Sequence, residues 1–344
     1  SLSLANLPHL RLLHADRNNL IQLDNLNPRS CRHLDSLSLR EQHGEKGLDV
    51  THLLARAFEV RKLFLSGNLL SKGFVPRTDM LNLQVLEVAN CGLVQLPEDL
   101  GLFLPNLRVV NLNMNALKSI EGLKGAGRVR KVFVAGNRIG DLGKLVSVLS
   151  SWRGLRVLDV RENPCTGGFY KLGALAVAKG KKGKKRDVSG SSAAATEETA
   201  TKEPDTPKDT PFPSLPDDPA LPPLDPQHNS EDDPHDNHNS DSESSDLDAS
   251  PSQSFTLPDQ SPTQDSSFRA RLDMDTRVRR RLYEALLASR CPGLRKVDGL
   301  GFDAKRMGTP RDGDEVWRVI RERGLIRGDT NQNGEGTTKS RWGV

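Results

Sequence analysis

Arginine recurs at one position of a repeating phrase. Arg11, Arg61, Arg108, Arg130, Arg156 and Arg295 each follow an apolar anchor residue, and Asp35 and Gln84 take that position in two further copies. Lys62, Lys131 and Lys296 come directly after three of them. A guanidinium is a planar fork that clasps a carboxylate or phosphate through two parallel hydrogen bonds. Stacked at a strand spacing of about 4.8 Å, like charges repel, so such a column suits an acidic or phosphorylated partner segment. The competing reading is a solvated, solubilising edge. A second column, at the strand centres, holds His14, Ser38, Phe64, Glu87, Asn111, Phe133 and Asp159. Phe64 and Phe133 are expected to point outward as interface aromatics. Truncating either to Ala is then expected to weaken binding and spare thermal stability. The expected partner-binding set is Arg11, Arg61, Phe64, Arg108, Asn111, Arg130, Phe133, Arg156, Asp159 and Arg295.

Other chemistry finds no support. No nucleophile–base pair, metal-ligand cluster or dinucleotide loop can be assembled, so the chain is read as non-enzymatic, with no catalytic residue, metal or cofactor. The basic run Lys179 to Arg186 lacks the Ser or Thr that would complete a phosphate loop. It also lacks the interleaved aromatics that stack on single-stranded nucleic acid. A nuclear localisation signal, a nucleic-acid contact and a plain linker stay open for it. His228, His235 and His238 lie near Asp232, Asp233 and Asp236, in a tract whose composition points to solvated side chains.

These columns need a scaffold that places equivalent residues side by side. The phrase L-x-x-L-x-x-L-x-L-x-x-N-x-L supplies it, clearest from Leu104 to Leu117 and from Leu7 to Leu20. Its asparagine position is filled by Asn18, Gln42, Asn68, Cys91, Asn115, Asn137 and Asn163, at intervals of 24, 26, 23, 24, 22 and 26 residues. That is the leucine-rich repeat. Pairs such as Leu63/Leu65, Val110/Leu112 and Leu158/Val160 alternate with polar residues and face one side of a short strand. One coil cannot bury its own apolar face, so coils must stack. The expected fold is an α/β-type leucine-rich-repeat solenoid. It has a curved parallel sheet on a concave face open to solvent and an irregular or short-helical convex side. A helical C-terminal cap closes it, and a long disordered insertion precedes the last repeat.

Charge and composition locate that insertion. Hydrophobic residues make up only 35% of the 344, and the deficit concentrates between Asp187 and Ser267. This stretch carries 19 acidic against 2 basic residues, leaving 47 basic against 26 acidic elsewhere. A basic solenoid with an acidic, disordered insert results. The expected organisation is repeats over 1–172, a basic-then-acidic insertion over 173–267, a terminal repeat and cap over 268–327, and a disordered tail over 328–344. Within the cap one helix is expected from Phe268 to Arg290, with Val278, Leu282, Ala285, Leu286 and Ser289 on one face and Asp275 or Thr276 as its cap. An eighth strand is expected in Cys291 to Leu300 and a second helix over 312–323. Thr206, Thr210, Ser250 and Ser261 precede prolines, and Ser240 and Ser242 lie among acidic residues; all six are candidate regulatory phosphorylation sites. The acidic insert is expected to fold back on the arginine column and compete with partners. Cys31, Cys91, Cys165 and Cys291 form no C-x-x-C pair and read as free thiols of a reducing compartment. No apolar run approaches membrane-spanning length, so no membrane contact is expected. The chain opens inside a repeat-like S-L-S-L and is read as a fragment of a longer protein.

Three places carry a family likeness. They are L-R-V-L-D-V-R-E-N-P-C-T-G-G-F-Y (Leu155 to Tyr170), R-R-R-L-Y-E-A-L-L-A-S-R-C-P-G-L-R-K-V-D-G-L (Arg279 to Leu300), and the long polar insertion between them. The arrangement resembles the C-terminal region of the fungal spindle-pole-body scaffolds of the septation initiation and mitotic exit networks, which are related to centriolin. The resemblance implies a scaffold that tethers signalling proteins at the spindle pole body, a cytoskeletal microtubule-organising centre in the cytoplasm. It implies a spindle-pole anchor and network kinase or GTPase components as partners. The alternatives are another intracellular leucine-rich-repeat regulator, such as a phosphatase-targeting subunit, and a nucleic-acid adaptor using the basic solenoid.

Overall fold

The computed structural model describes residues 9–21, 33–43, 47–51, 60–70, 74–76, 79–171, 255–309 and 313–325. Seven three-residue strands run along the repeats: β1 (Leu12–His14), β2 (Ser36–Ser38), β3 (Lys62–Phe64), β4 (Val85–Glu87), β5 (Val109–Asn111), β6 (Lys131–Phe133) and β7 (Val157–Asp159). Beyond the insertion, β8 (Lys296–Val297) pairs in parallel with β7, and β9 (Leu300–Gly301) turns back antiparallel to finish the edge. The result is one nine-stranded, mostly parallel sheet in strict chain order, an α/β solenoid.

Register follows from the period of two. The middle residues Leu37, Leu63, Leu86, Val110, Val132 and Leu158 pair in one line and are buried. Leu39, Leu65, Val88, Leu112, Val134 and Val160, two residues on, extend the same core. The flanking strand residues therefore project from the opposite face, called the front face below. Behind the sheet lie α1 (Leu100–Phe103), a 3-10 turn at Glu121–Leu123 and α2 (Leu142–Ser150). Asp141 starts α2 by accepting from the Lys144 amide at 2.9 Å. Coil packing here is close enough to demand glycine: a Cβ on Gly122 would lie 2.0 Å from the Pro97 carbonyl oxygen.

Asparagine joins each coil to the one before it. The Asn137 amide donates to the carbonyls of Leu112 and Val134, both at 2.9 Å, and its oxygen accepts from the Leu117 amide at 3.1 Å. Asn68, Asn115 and Asn163 repeat this pattern. Gln42 imitates it with one more methylene, donating to Ala15 at 2.7 Å and accepting from Leu20 at 3.1 Å. At Cys91 the thiol donates to the Leu65 carbonyl at 3.3 Å. Because these partners are buried, Asn137→Ala is expected to cost about 3 kcal/mol in denaturant unfolding. Asn137→Cys, which copies the neighbouring solution, should cost less than half of that. A loss under about 1 kcal/mol for the alanine variant would show that water replaces the ladder.

The C-terminal part departs from the expected helix. Residues 268–290 belong to two helices, α3 (Pro262–Ala270) and α4 (Met274–Arg290). Asp273 breaks the run, because its carboxylate caps α4 by accepting from the Thr276 amide at 2.9 Å. Asp275 and Thr276 are thus not the cap. Residues 255–267, expected inside a disordered insertion, contain most of α3 and a segment laid on the sheet. Helix α4 buries Tyr283, Leu287 and Ala288 in the main core. It presents Val278 and Ala285 to Val316, Trp317 and Ile320 of α6 (Glu315–Glu322), while Ser289 is exposed rather than facing α6. The short α5 (Ala304–Gly308) between them was not anticipated.

Candidate functional site

The arginine column is a continuous backbone ladder. The amide of each member donates to the carbonyl of the one before, at 2.8 Å, from Asp35–Arg11 through Arg61, Gln84, Arg108, Arg130 and Arg156 to Arg295. This repetition puts the side chains in file along one edge of the sheet. Their charges are not equally available. Arg61 pairs with Asp35 at 3.3 Å, and Arg156 donates to the Gly293 carbonyl at 3.2 Å. Among the described residues no carboxylate pairs with Arg11, Arg108, Arg130 or Arg295. The free stretch of the edge is therefore Arg108, Arg130 and Arg295, with Arg11 at the far end.

The front face differs from the open surface expected of it. Phe64 is only 9% exposed and forms an apolar patch with Val85, Val109 and the half-buried Phe133. The Arg40 guanidinium lies 4.3 Å from the Phe64 ring centre and is held by Glu87 at 2.7 Å. Asn111 and Asp159 are buried as well, at 0% and 3% exposure. Of the expected strand-centre contacts Phe64, Asn111, Phe133 and Asp159, only Phe133 keeps substantial access.

What covers these residues is the segment before α3. Phe255 is buried near Gly67, where an added Cβ would lie 3.0 Å from the Phe255 ring. The Phe255 carbonyl accepts from Asn111 at 3.2 Å and Asn113 at 3.0 Å. Arg161 forks onto Asp159 at 2.9 and 2.6 Å and reaches the carbonyls of Pro258 at 2.9 Å and Leu257 at 3.3 Å. Asp259 meets the Lys296 ammonium at 2.6 Å, and the Gln260 amide donates to the Gly299 carbonyl. Residues 255–260 thus run across the strands from β3 to β8. Beside Thr256 to Asp259 a cavity of about 550 Å³ remains, lined by Lys131, Phe133, Val157, Asp159, Arg161 and Lys296.

Sequence reasoning missed Asn113, Arg161 and Arg40. They share a column two residues past the last residue of each strand with Asp16, Ser66, Ala89 and Ala135. Long polar side chains among such small neighbours were the available signal. The expected back-folding of the insert has a described counterpart in 255–260, which lies on this column and not on the arginine edge. The acidic run, the Lys179 to Arg186 run, and Thr206, Thr210, Ser240, Ser242 and Ser250 lie outside the described residues. Ser261 is described: it is half-buried at the N-cap of α3, its hydroxyl 2.8 Å from that of Thr263.

Behind β7 a second polar group ties the terminal strand down. Asp298, fully buried with φ +55°, accepts from the Val160 amide at 2.7 Å and from the hydroxyls of Tyr170 at 2.7 Å and Tyr283 at 2.8 Å. Burial, with the nearby Asp159 charge, pushes its carboxyl up to about 6, against the opposing pull of those three donors. Burial also lifts the thiol of Cys91 to about 12 and those of Cys165 and Cys291 to about 11, so none is a ready nucleophile. Among the described residues no three His, Cys, Asp or Glu side chains gather in a metal-holding group. Among them, too, no helix is long and apolar enough to cross a membrane.

No protein-family model matches the chain. A scaffold protein does. The septation initiation network scaffold protein cdc11 of Schizosaccharomyces pombe is 31% identical over 168 residues, 48% of this chain and 15% of cdc11. Podocan of Mus musculus is 31% identical over 118 residues, 32% of this chain and 18% of that protein. The chain is related to cdc11 over about half its length, and it spans less than one fifth of either relative.

Proposed function

We propose that this chain is the leucine-rich-repeat module of a non-enzymatic scaffold that tethers septation and mitotic-exit signalling proteins at the spindle pole body. The similarity to cdc11 carries the reading, because that relative is a scaffold protein of the septation initiation network. The module binds acidic or phosphorylated segments of network proteins along Arg108, Arg130 and Arg295, edge guanidinium groups with neither a carboxylate nor a carbonyl partner among the described residues. Arg156 assists less, since the Gly293 carbonyl engages it.

The test is a replacement in fission yeast. Cdc11 lacking the matching stretch is expected to fail in septation, and inserting this chain there should restore septa and the tagged protein at spindle poles. The same insertion with Arg108, Arg130 and Arg295 changed to Glu should restore less than about a tenth of that, as reversal of a charged edge predicts. If the natural chain restores nothing, the scaffold reading fails. Equal restoration by the reversed edge would remove the edge from it.

A further inference from the structure

Three polar side chains on the front face have an unusual assignment. Asn111, Asn113 and Arg161 are almost fully buried, yet the partners they reach on the covering segment are main-chain carbonyls, those of Phe255, Leu257 and Pro258. Buried amide and guanidinium donors are unfavourable unless paired, so this face is built to be covered by a backbone. Side chains that grip carbonyls supply affinity without regard to sequence, while pockets between them supply choice. The pockets are visible. One at Gly67, beside Glu41, takes the Phe255 ring, and at the exposed rim Lys296 meets Asp259. The cavity of about 550 Å³ beside Thr256 to Asp259, rimmed by Lys131 and Lys296, shows that the segment fills its groove only in part.

We propose that the front face is a groove for an extended peptide reading aromatic-x-leucine-proline-acidic, and that residues 255–259 occupy it in cis as a displaceable stand-in. This deepens the scaffold reading by naming a partner chemistry, and it rests on that reading only for its biological setting. Phe255 and Leu257 are the anchors, Asp259 sets the direction in which the peptide crosses the strands, and Asn111, Asn113 and Arg161 read the backbone. The segment is joined to α3 by Gln260 and Ser261 alone, so it can leave while α3 stays docked through Asp265 and Arg280. Tethering gives the cis segment a high effective concentration. A partner peptide therefore binds weakly until the segment is released, and the unfilled cavity favours partners bulkier than the segment itself.

A fluorescent peptide of residues 254–260, Ser-Phe-Thr-Leu-Pro-Asp-Gln, tests this on the full chain. Phe255→Asp with Leu257→Asp should expel the cis segment and bind the peptide at least tenfold more tightly than the natural chain does. Adding Asn113→Ala should reverse that gain, and a peptide with Phe replaced by Ala should not bind. Hydrogen exchange on the unmutated chain gives an independent reading. Millimolar peptide should speed exchange of the amides of 255–260 and leave those of β4 to β7 unchanged. Equal peptide affinity of the two chains, or a cis segment whose exchange ignores the peptide, overturns the proposal. So does a double variant that no longer folds cooperatively, because the segment is then core. Since only purified chain and peptide are used, failure in yeast leaves this result intact, and failure here leaves the scaffold reading intact.

Discussion

Asp265→Ala should lower stability by about 3–5 kcal/mol, the range found when one partner of a buried ion pair is removed. Arg280 is 1% exposed and donates from Nη2 to both Asp265 oxygens, at 2.8 and 2.7 Å. It also donates to the Phe169 carbonyl at 2.6 Å and lies 4.3 Å from the Tyr170 ring centre. Glu284 cannot take over from Asp265. It already bonds Arg280 at 3.3 Å, serves Arg269 and meets Arg281 at 3.5 Å, so three guanidinium groups share Asp265 and Glu284 with only the part-exposed Asp314, 3.8 Å from Arg281, beside them. Removing one carboxylate leaves the cluster with uncompensated positive charge in a low-dielectric site. The midpoint of thermal unfolding should fall by about 10 °C for a domain of this size. Loss should begin locally, because Asp265 sits on α3 and its partner on α4, and limited proteolysis should cut between 255 and 273 first. Asp265→Leu combined with Arg280→Met should recover most of the stability, since apolar residues can replace a buried pair. A loss under about 1 kcal/mol for the single variant would mean that the pair is hydrated and the cluster adaptable.

The contrast between what was legible in sequence and what was not has a physical basis. The alternation of Leu63 and Leu65, or Val110 and Leu112, is local, and the strand geometry turns it directly into an inward face. The asparagine ladder was likewise legible, including its replacements at Gln42 and Cys91, because each bond spans one repeat of fixed length. Periodicity also put Phe64 on the correct side of the sheet. It could not give the exposure, which depends on Arg40 from the preceding coil. Truncating Phe64 would now open a void in an apolar patch, so it tests folding as much as binding. The divided helix failed for a different reason. The apolar pattern continues across Arg271 to Asp273, and the local capping geometry of Asp273 overrides it. Asn113 and Arg161 stand in a column that mixes the small Ser66, Ala89 and Ala135 with Asp16 and Arg40 and has no repeat-wide pattern, so register alone gave them no distinction.

The acidity of Asp298 yields a prediction of opposite sign to ordinary acid denaturation. A free aspartate titrates near 3.9, and in the folded chain burial and the Asp159 charge raise Asp298 to about 6. Between these values the folded state holds the extra proton, so stability falls as pH rises through the window and levels off above it. The contribution lost is up to about 3 kcal/mol, two units at 1.36 kcal/mol each. Asp298→Asn removes the titration with little change of shape. The asparagine oxygen can still accept from the Val160 amide, whereas the Tyr170 and Tyr283 hydroxyls lose an acceptor for their protons. The variant should therefore be less stable than the natural chain near pH 4, and the gap should close as pH approaches 7. The groups facing the site are Tyr170, Tyr283, Cys165, Asp159 and its partner Arg161. They remain in both chains. Denaturant unfolding of both proteins from pH 4 to pH 7.5 measures it. A stability difference independent of pH would place the Asp298 carboxyl in its ordinary range. It would also mean that the terminal strand, the groove floor at Lys296 and the Gly299 contact to Gln260 are not held by a protonation-dependent latch.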